Sequence, residues 1–335
     1  MTHHGPRAGD GLVRAPKVVA FGGGHGLSVS LTALRRVTDH LTAVVTVADD
    51  GGSSGRLRQE LGCLPPGDLR MALAALCSDD HVGRTWARVL QSRFGGDGVL
   101  AGHAIGNLLI AGLWQQLDDP VAGLDMVGDL LRTRGRVLPM SGVPLDIEAD
   151  VIGLDPVAPD EVATLRGQAT VAKTRSTVQS VRLIPESPPA RPEAVQAVME
   201  ADSLVLGPGS WFTSVIPHLL VPDLAEAIVS TRAQRVLVLN VAPADETDGF
   251  SASRHIELLS EHAPRLRLDV VIADAGFAGS DPHLESWVAS LGARLLSADV
   301  AMRDGTPRHD PNRLAAVFSE ILEPIDPPTT QWQDE

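Results

Sequence analysis

The chain has 335 residues, of which 44% are hydrophobic, so it can form one large α/β domain or two small ones with an ample core. Its formal charge of −14 and pI near 5.2 argue against nucleic acid or an anionic membrane as the main partner, because a phosphate-binding face needs clustered Lys and Arg. Two cysteines without CxxC spacing, no secretory leader and no apolar run of transmembrane length predict a protein of the reducing cytoplasm.

The first predicted strand, 17–21, runs into a glycine-rich loop. The loop consists of Gly22, Gly23, Gly24, His25 and Gly26. Glycines remove the Cβ atoms that would hold a ligand away, and their amides converge with the start of a predicted helix, 27–36, on an anion. Leu27 breaks the dinucleotide fingerprint, and the loop lacks the Gly-Lys-Ser/Thr ending of a P-loop. The loop predicts a phosphate cradle, with a turn that only lets strand and helix pack closely as the alternative.

A second glycine turn follows the predicted strand 42–47. Asp49 and Asp50 end this strand, and Ser53 and Ser54 lie in the Gly-Gly-Ser-Ser-Gly turn after it. Adjacent carboxylates at a strand end can hold Mg²⁺ or accept hydrogen bonds from ribose hydroxyls. The alternative is an Asx turn in which Asp50 caps the loop.

Two helix starts carry further candidates. The two prolines before Asp68 fix the backbone so that this carboxylate can be aimed at a ligand, although an ordinary helix cap would use the same residue. Asn107 follows His103 in a glycine-flanked segment that opens an apolar helix. These two side chains can reach a base, a ribose or a phosphate, or they can belong to tight helix packing around a buried His.

A Gly-Pro-Gly turn after the predicted strand 203–206 repeats the design of the first loop. Its candidate residues are Gly207, Gly209, Ser210 and Thr213. Hydroxyls at the start of a helix predict a second anion-binding terminus in the other half of the sheet. Two such loops in one sheet suggest a ligand with more than one phosphate, or a nucleotide diphosphate joined to another group.

The later segments add acidic and basic candidates. Asp245, Glu246 and Asp248 follow a buried strand and predict contacts with a cation or with sugar hydroxyls, unless Asp248 belongs to a helix cap. His255 is a base or ligand, or an ordinary helix-surface His. Asp310 and the proline after it predict a cap and first helical position, which leaves Arg308 free to face an anionic ligand.

Alternation of β-branched runs with helical patterns predicts an α/β fold: a three-layer, doubly wound, mostly parallel Rossmann-like sheet. The predicted parallel strands are 17–21, 42–47, 203–206, 235–240 and 270–273. Shorter runs predict a small antiparallel β insertion over about 136–185, on the edge of the sheet. We expect one domain over 16–324, with poorly ordered tails at 1–15 and 325–335.

Seven motifs together resemble the bacterial gluconeogenesis factor family, which is related to the CofD-like 2-phospho-L-lactate transferases of deazaflavin cofactor synthesis. They are Gly-Gly-Gly-His-Gly-Leu-Ser from Gly22, Val-Ala-Asp-Asp-Gly-Gly-Ser-Ser-Gly from Val47, Pro-Pro-Gly-Asp-Leu-Arg from Pro65, Gly-His-Ala-Ile-Gly-Asn-Leu from Gly102, Leu-Gly-Pro-Gly-Ser-Trp-Phe-Thr-Ser from Leu206, Glu-Thr-Asp-Gly from Glu246 and Arg-His-Asp-Pro from Arg308. The resemblance covers about 15–322.

The resemblance implies a cytoplasmic protein that binds a nucleotide sugar such as UDP-N-acetylglucosamine. It also implies a link to cell shape and cell-wall precursor supply on gluconeogenic carbon sources, with cell-wall synthesis or regulatory proteins and a second copy of the chain as candidate partners. On the family pattern, the ligand site would be lined by Gly22 to Gly26, Asp49, Asp50, Ser53, Asn107, Ser210, Thr213 and Arg308. The transferase relatives use Mg²⁺, which would fall to Asp49 and Asp50.

Two other functions stay open at this point. One is a Mg²⁺-dependent transferase that moves a phosphate-activated group onto an unknown acceptor, since such transfer needs chiefly positioning and electrostatics. The other is an NAD(P)-dependent oxidoreductase, which the broken fingerprint and the absence of tyrosine disfavour. The chain also departs from the family pattern: His25 stands where Thr is usual, and His218 where Asn is usual.

Overall fold

The computed structural model describes residues 14–243 and 245–322. The strands in these ranges are β1 Val18–Gly22, β2 Leu41–Val45, β3 Arg136–Pro139, β4 Asp146–Ile152, β5 Ala163–Arg166, β6 Thr177–Ile184, β7 Ser203–Leu206, β8 Gln234–Val238, β9 Val270–Asp274 and β10 Arg294–Ala298. The helices are α1 Gly24–Leu34, α2 Gly52–Leu61, α3 Gly67–Leu76, α4 His81–Gln91, α5 Ile105–Leu117, α6 Pro120–Leu131, α7 Gln168–Val171, α8 Pro192–Glu200, α9 Pro222–Ser230, α10 Ala252–His262, α11 Ala275–Gly279, α12 Leu284–Ser290 and α13 Pro311–Ile321. A π-helical turn, Trp211–Val215, continues into a 3₁₀ turn, Ile216–Leu219, and a second 3₁₀ turn spans Asp245–Thr247.

Seven strands form one parallel sheet in the order β10-β9-β8-β7-β1-β2-β3. β1, β7 and β9 are buried at every residue, which is expected for parallel strands covered by helices on both faces. The predicted fold class is therefore confirmed. Chain order runs outward in opposite directions from the β1–β7 pair, so the loops that leave these two strands diverge and open a crevice at their carboxyl ends.

The insertion is a separate antiparallel sheet in the order β5-β4-β6. Ile147, Ala149 and Val151 of β4 are fully buried, whereas Asp146 and the other alternate residues face the charged side. On that side the carboxylates of β4 pair with Arg166 and Arg182. Period-two alternation thus fixes which face joins the core.

Three details of the sequence prediction are wrong. The run 136–139 is not part of the insertion, because β3 pairs in parallel with β2 at the edge of the main sheet. The run 170–172 is one of the short runs within 136–185 that predicted the β insertion, but it lies in and directly after helix α7. The glycine turn after Asp50 is itself the start of helix α2, which the sequence analysis did not predict.

The predicted tails lie outside the described residues, apart from 14 and 15. No single helix of the described ranges is long and apolar enough to cross a membrane. One bent pair, Trp211–Leu219 with Pro222–Ser230, passes that test by length and composition, with 75° between its two parts.

Candidate functional site

A crevice of about 480 Å³ lies at the carboxyl ends of β1, β7 and β8. Eight predicted site residues line it: Gly23, Gly24, His25, Gly26, Asp68, Gly209, Ser210 and Arg308. Asp245 and Glu246, which were predicted to contact a cation or sugar hydroxyls, also line it. The lining residues that the sequence did not point to include Gln168 and Ala172 of the insertion, Asn240 after β8, and His309. The crevice therefore collects loops from both halves of the sheet and from the insertion.

The first glycine loop and the Gly-Pro-Gly turn pack directly on each other. A Cβ atom on Gly26 would lie 2.2 Å from the carbonyl oxygen of Pro208 and 2.6 Å from the Cα of Gly209. No side chain fits between two backbones at that distance. Gly26 thus serves the contact between the two loops, in addition to lining the crevice.

The side chain of Asp68, from the first turn of α3, lies at the amino terminus of α1. The residue before this helix, Gly23, has no capping side chain, and the Asp68 carboxylate accepts a hydrogen bond from the amide of Gly24 instead. Burial and, second, the negative charge of Asp49 raise the pKa of Asp68 to about 7. One amide of the predicted phosphate cradle therefore already has an acidic partner, while His25 and Gly26 contribute first-turn amides that have no carbonyl partner within the helix.

Glu246 contacts the Gly-Pro-Gly turn as Asp68 contacts the first glycine loop, with its carboxylate accepting hydrogen bonds from that segment. Its Oε1 accepts hydrogen bonds from the Ser210 hydroxyl at 2.7 Å and from the Phe212 amide at 3.1 Å. The side chain is buried, its Oε2 has no partner among the described residues, and burial raises the pKa of the carboxyl. The predicted second anion-binding terminus is thus a π-helical turn whose amides contact a carboxylate of the same chain.

Arg308 and His309, which come just before α13 in the chain, also line the crevice. Arg308 is exposed, and no hydrogen bond or ion pair of its guanidinium occurs within the described ranges. His309 is buried, and desolvation lowers its pKa to about 4, so its ring is neutral at pH 7. The predicted cap is confirmed, because Asp310 accepts hydrogen bonds from the amides of Asn312 and Arg313.

Ser53, Ser54 and Asn107 do not line the crevice but form a buried network behind it. Asn107 Nδ2 donates to the Ser53 hydroxyl at 3.1 Å, and its Oδ1 accepts from Arg70 Nε at 2.8 Å. The Ser53 hydroxyl also contacts His103 Nδ1 at 3.0 Å. Arg70 is 4% exposed, and burial lowers its pKa to about 10. The network joins the starts of α2 and α5 and holds a guanidinium behind Asp68.

Asp49 and Asp50 point in different directions. Asp49 Oδ1 accepts from the Gly51 amide at 3.0 Å, in an Asx turn, and its Oδ2 lies beside Gly67. Asp50 Oδ1 accepts from the amide of Ala169 at 2.9 Å, and Asp50 faces a second cleft. The two carboxylates predicted to share Mg²⁺ are therefore not brought to one point.

The carboxylates of Asp49 and Asp68 interact electrostatically, and carboxylate oxygens are donors that Mg²⁺ prefers. No group of three or more His, Cys, Asp or Glu side chains able to hold a metal occurs in 14–243 and 245–322. Magnesium binding stays a prediction.

The remaining candidates lie around or away from the crevice. Gly22 and Gly207 shape the loops with φ of 153° and 73°, and Thr213 is fully buried beside Ser210. Asp248 is exposed and does not line the crevice. His255 is not on the helix surface, because its ring is buried among Trp211, Phe250 and Phe277.

Comparisons with known proteins identify the family and agree with the fold. The family model described as 2-phospho-L-lactate transferase CofD matches residues 18–299. The chain is 56% identical over 308 residues to a Mycobacterium tuberculosis protein provisionally named a gluconeogenesis factor, covering 91% of this chain and 90% of that protein. It is 35% identical over 319 residues to the gluconeogenesis factor of Listeria innocua, covering 92% and 96%. A crystal structure of a UPF0052 family protein from Bacillus halodurans is similar with a TM-score of 0.79 at 32% identity, covering 91% of this chain and 99% of that one.

Proposed function

This chain belongs to the CofD family and, within it, to the gluconeogenesis factors, and from that premise we propose that it is a cytoplasmic regulator that binds a nucleotide sugar, such as UDP-N-acetylglucosamine, in the crevice. Partner proteins that control cell shape and cell-wall precursor supply on gluconeogenic carbon sources would respond to whether the ligand is bound.

The observation that carries the proposal is the crevice at the β1–β7 switch point. Open parallel sheets bind ligands outside the carboxyl ends of the strands where the strand order reverses. Its volume of about 480 Å³ lies within the range of small-ligand sites. Glycine-lined walls let a ligand approach the backbone closely on one side, and Arg308 supplies a cation on the other.

The charges of the crevice favour a ligand with both anionic and hydroxyl groups. The first-turn amides of α1 at His25 and Gly26, with Arg308 across the crevice, suit a diphosphate. Asp68 and Ser210, with their oxygen atoms, suit the hydroxyls of a ribose or a sugar. A ligand that is only a phosphate would offer no hydroxyl group for Asp68 and Ser210 to bind.

The second candidate is a Mg²⁺-dependent transferase of a phosphate-activated group, favoured by the CofD match itself. Asp49 and Asp68 are the carboxylates that would hold the ion. Bound Mg²⁺ would neutralise charge on the transferred group. The protein's own part would be to orient donor and acceptor along the crevice and to exclude water.

Calorimetry of the purified chain against UDP-N-acetylglucosamine, UDP-glucose, GDP and NAD, with and without Mg²⁺, tests both candidates. We expect tight UDP-sugar binding and no product over hours by mass spectrometry. Product formation would refute the regulator and support the transferase, and the absence of any nucleotide-sugar binding would refute the proposal.

Replacement of Arg308 by Ala tests whether the ligand binds in the crevice. Loss of a charge-assisted hydrogen bond should weaken binding by about 10- to 100-fold, with an unchanged melting temperature because the side chain is exposed. Arg303→Ala is the matched control, since this arginine side chain is 81% exposed and lies outside the crevice. Equal affinities of the two variants would contradict the placement.

A further inference from the structure

The short helix α7 of the insertion bridges the two glycine-lined halves of the site. The Asp50 carboxylate, after β2, accepts a hydrogen bond from the Ala169 amide at 2.9 Å. On the other side, Gln168 Nε2 donates to the Thr213 hydroxyl at 3.4 Å. Residues 119 and 45 positions apart in the chain thereby meet through one turn of helix.

The local sequence is adapted to this contact. Gly167 has φ of 101°, and a Cβ atom on it would lie 2.3 Å from Asp50 Oδ2. The Asp50 carboxylate therefore occupies the space that a side chain at 167 would need. Gly167 also donates its amide to the Ile147 carbonyl at 2.8 Å, and Val171 is fully buried.

A four-residue helix does not hold its own conformation in water, because nucleation is unfavourable and few internal hydrogen bonds form. The position of α7 consequently depends on its outside contacts. Of these, the Asp50 hydrogen bond holds the end of α7 that carries Gln168. Gln168 and Ala172 are the insertion residues that line the described part of the crevice.

Gln168 adds a group of a kind different from its neighbours. After its bond to Thr213, its carboxamide retains one N–H donor and an acceptor oxygen. Nearby, Asp68 and Glu246 supply carboxyls and Arg308 a guanidinium. A carboxamide suits an uncharged partner that offers both a donor and an acceptor, such as the edge of a base, an acetamido group or a hydroxyl.

We infer that Asp50 is a positioning residue that holds α7 at the crevice, and that Gln168 binds an uncharged polar group of the ligand there. This inference rests on the proposed function for the ligand, but the position of α7 does not. Asp50 acts through α7 and does not contact the ligand or a metal.

Hydrogen exchange of the ligand-free protein tests the positioning role. Asp50→Ala should speed exchange of the Ala169 amide by about 10-fold or more, because its acceptor is lost. Asp50→Asn keeps an oxygen acceptor and should restore most of the protection. Asp155→Ala, at an exposed turn of the same insertion, is the control and should leave 167–172 unchanged. Unchanged exchange in Asp50→Ala would overturn the inference.

Calorimetry with UDP-N-acetylglucosamine then separates action through Gln168 from direct contact. Asp50→Ala and Gln168→Ala should each weaken binding by about 5- to 10-fold, and the double variant should be within about twofold of the weaker single variant. Additive losses would overturn the coupling. A Mg²⁺ requirement of binding that changes in Asp50→Asn would instead make Asp50 a metal ligand and also overturn it.

If the unmodified chain binds no nucleotide sugar, the proposed function fails and Gln168 loses its role with it. The exchange experiment still decides whether Asp50 positions α7. Melting temperatures of all variants within a few degrees of the unmodified chain show that the effects are local.

Discussion

Replacement of Gly26 by Ala tests the contact between the two glycine-lined loops. The new Cβ would lie 2.2 Å from the Pro208 oxygen, whereas ordinary contacts are 3.4 Å or more, so the loops must separate by about 1 Å. The three atoms nearest to this Cβ all belong to the backbone of Pro208 and Gly209, so no side-chain rotation can relieve the clash. Overpacking of this kind costs about 1–3 kcal/mol, against which a helical alanine gains up to about 1 kcal/mol over glycine.

We therefore expect Gly26→Ala to lower the free energy of unfolding by about 1–2 kcal/mol and the melting temperature by a few degrees. The assay is thermal unfolding, with calorimetry of UDP-N-acetylglucosamine as the second readout, in which affinity should fall by more than about 10-fold. Gly112→Ala is the matched control, because Gly112 lies within α5 with nothing within 4 Å of its added Cβ. If Gly26→Ala is as stable as Gly112→Ala and binds normally, the two loops do not approach as described.

Three further outcomes are expected from denaturant unfolding. Asn107→Ala should lose about 2–4 kcal/mol, because it leaves the buried Arg70 Nε without an acceptor; a loss below about 1 kcal/mol would contradict this network. Burial lowers the pKa of His218 to about 4, so its contribution is present above the unfolded pKa of about 6.5 and is lost as pH falls toward 4. The unfolding free energy of the unmodified chain should thus fall by up to about 3 kcal/mol relative to His218→Asn between pH 7 and 4, and parallel pH profiles would contradict it. Burial raises the pKa of Glu246, so the opposite sign holds: its contribution is present below the unfolded pKa of about 4.5 and declines as pH rises above it. Stability that instead rises with pH relative to Glu246→Gln would refute a raised pKa of this carboxyl.

Local patterns predicted the elements that carry strong signals. The five central strands are rich in β-branched and apolar residues, as strands covered on both faces require, and the sequence therefore located them to within a few residues. The cap at Asp310 was also predictable, because a carboxylate before Pro311 has a clear local role. β3 was assigned to the insertion instead of the sheet, because a four-residue edge strand ending in proline gives little periodicity.

Only part of the site was predicted, because the sequence indicates where strands end but not where each side chain points. Parallel strands end at the same edge of a sheet, so the loops after β1 and β7 were expected to meet, and they do. The strand-end rule locates the backbone but not the direction of each side chain. Ser53 and Asn107, chosen for their chemistry, turn into a buried network, while Glu246 lies against the Ser210 hydroxyl.

The sequence by itself determined the fold class, the family and the glycine-lined loops, because these follow from hydrophobic period, glycine positions and motif spacing over short ranges of the chain. Only the tertiary structure shows which backbone amide donates a hydrogen bond to each carboxylate. It also shows that Asp50 accepts one from an insertion helix more than a hundred residues later in the chain. Such contacts join segments that are far apart in the chain. They depend on how these segments pack together, and the local sequence around each residue carries no periodicity or motif that indicates its partner.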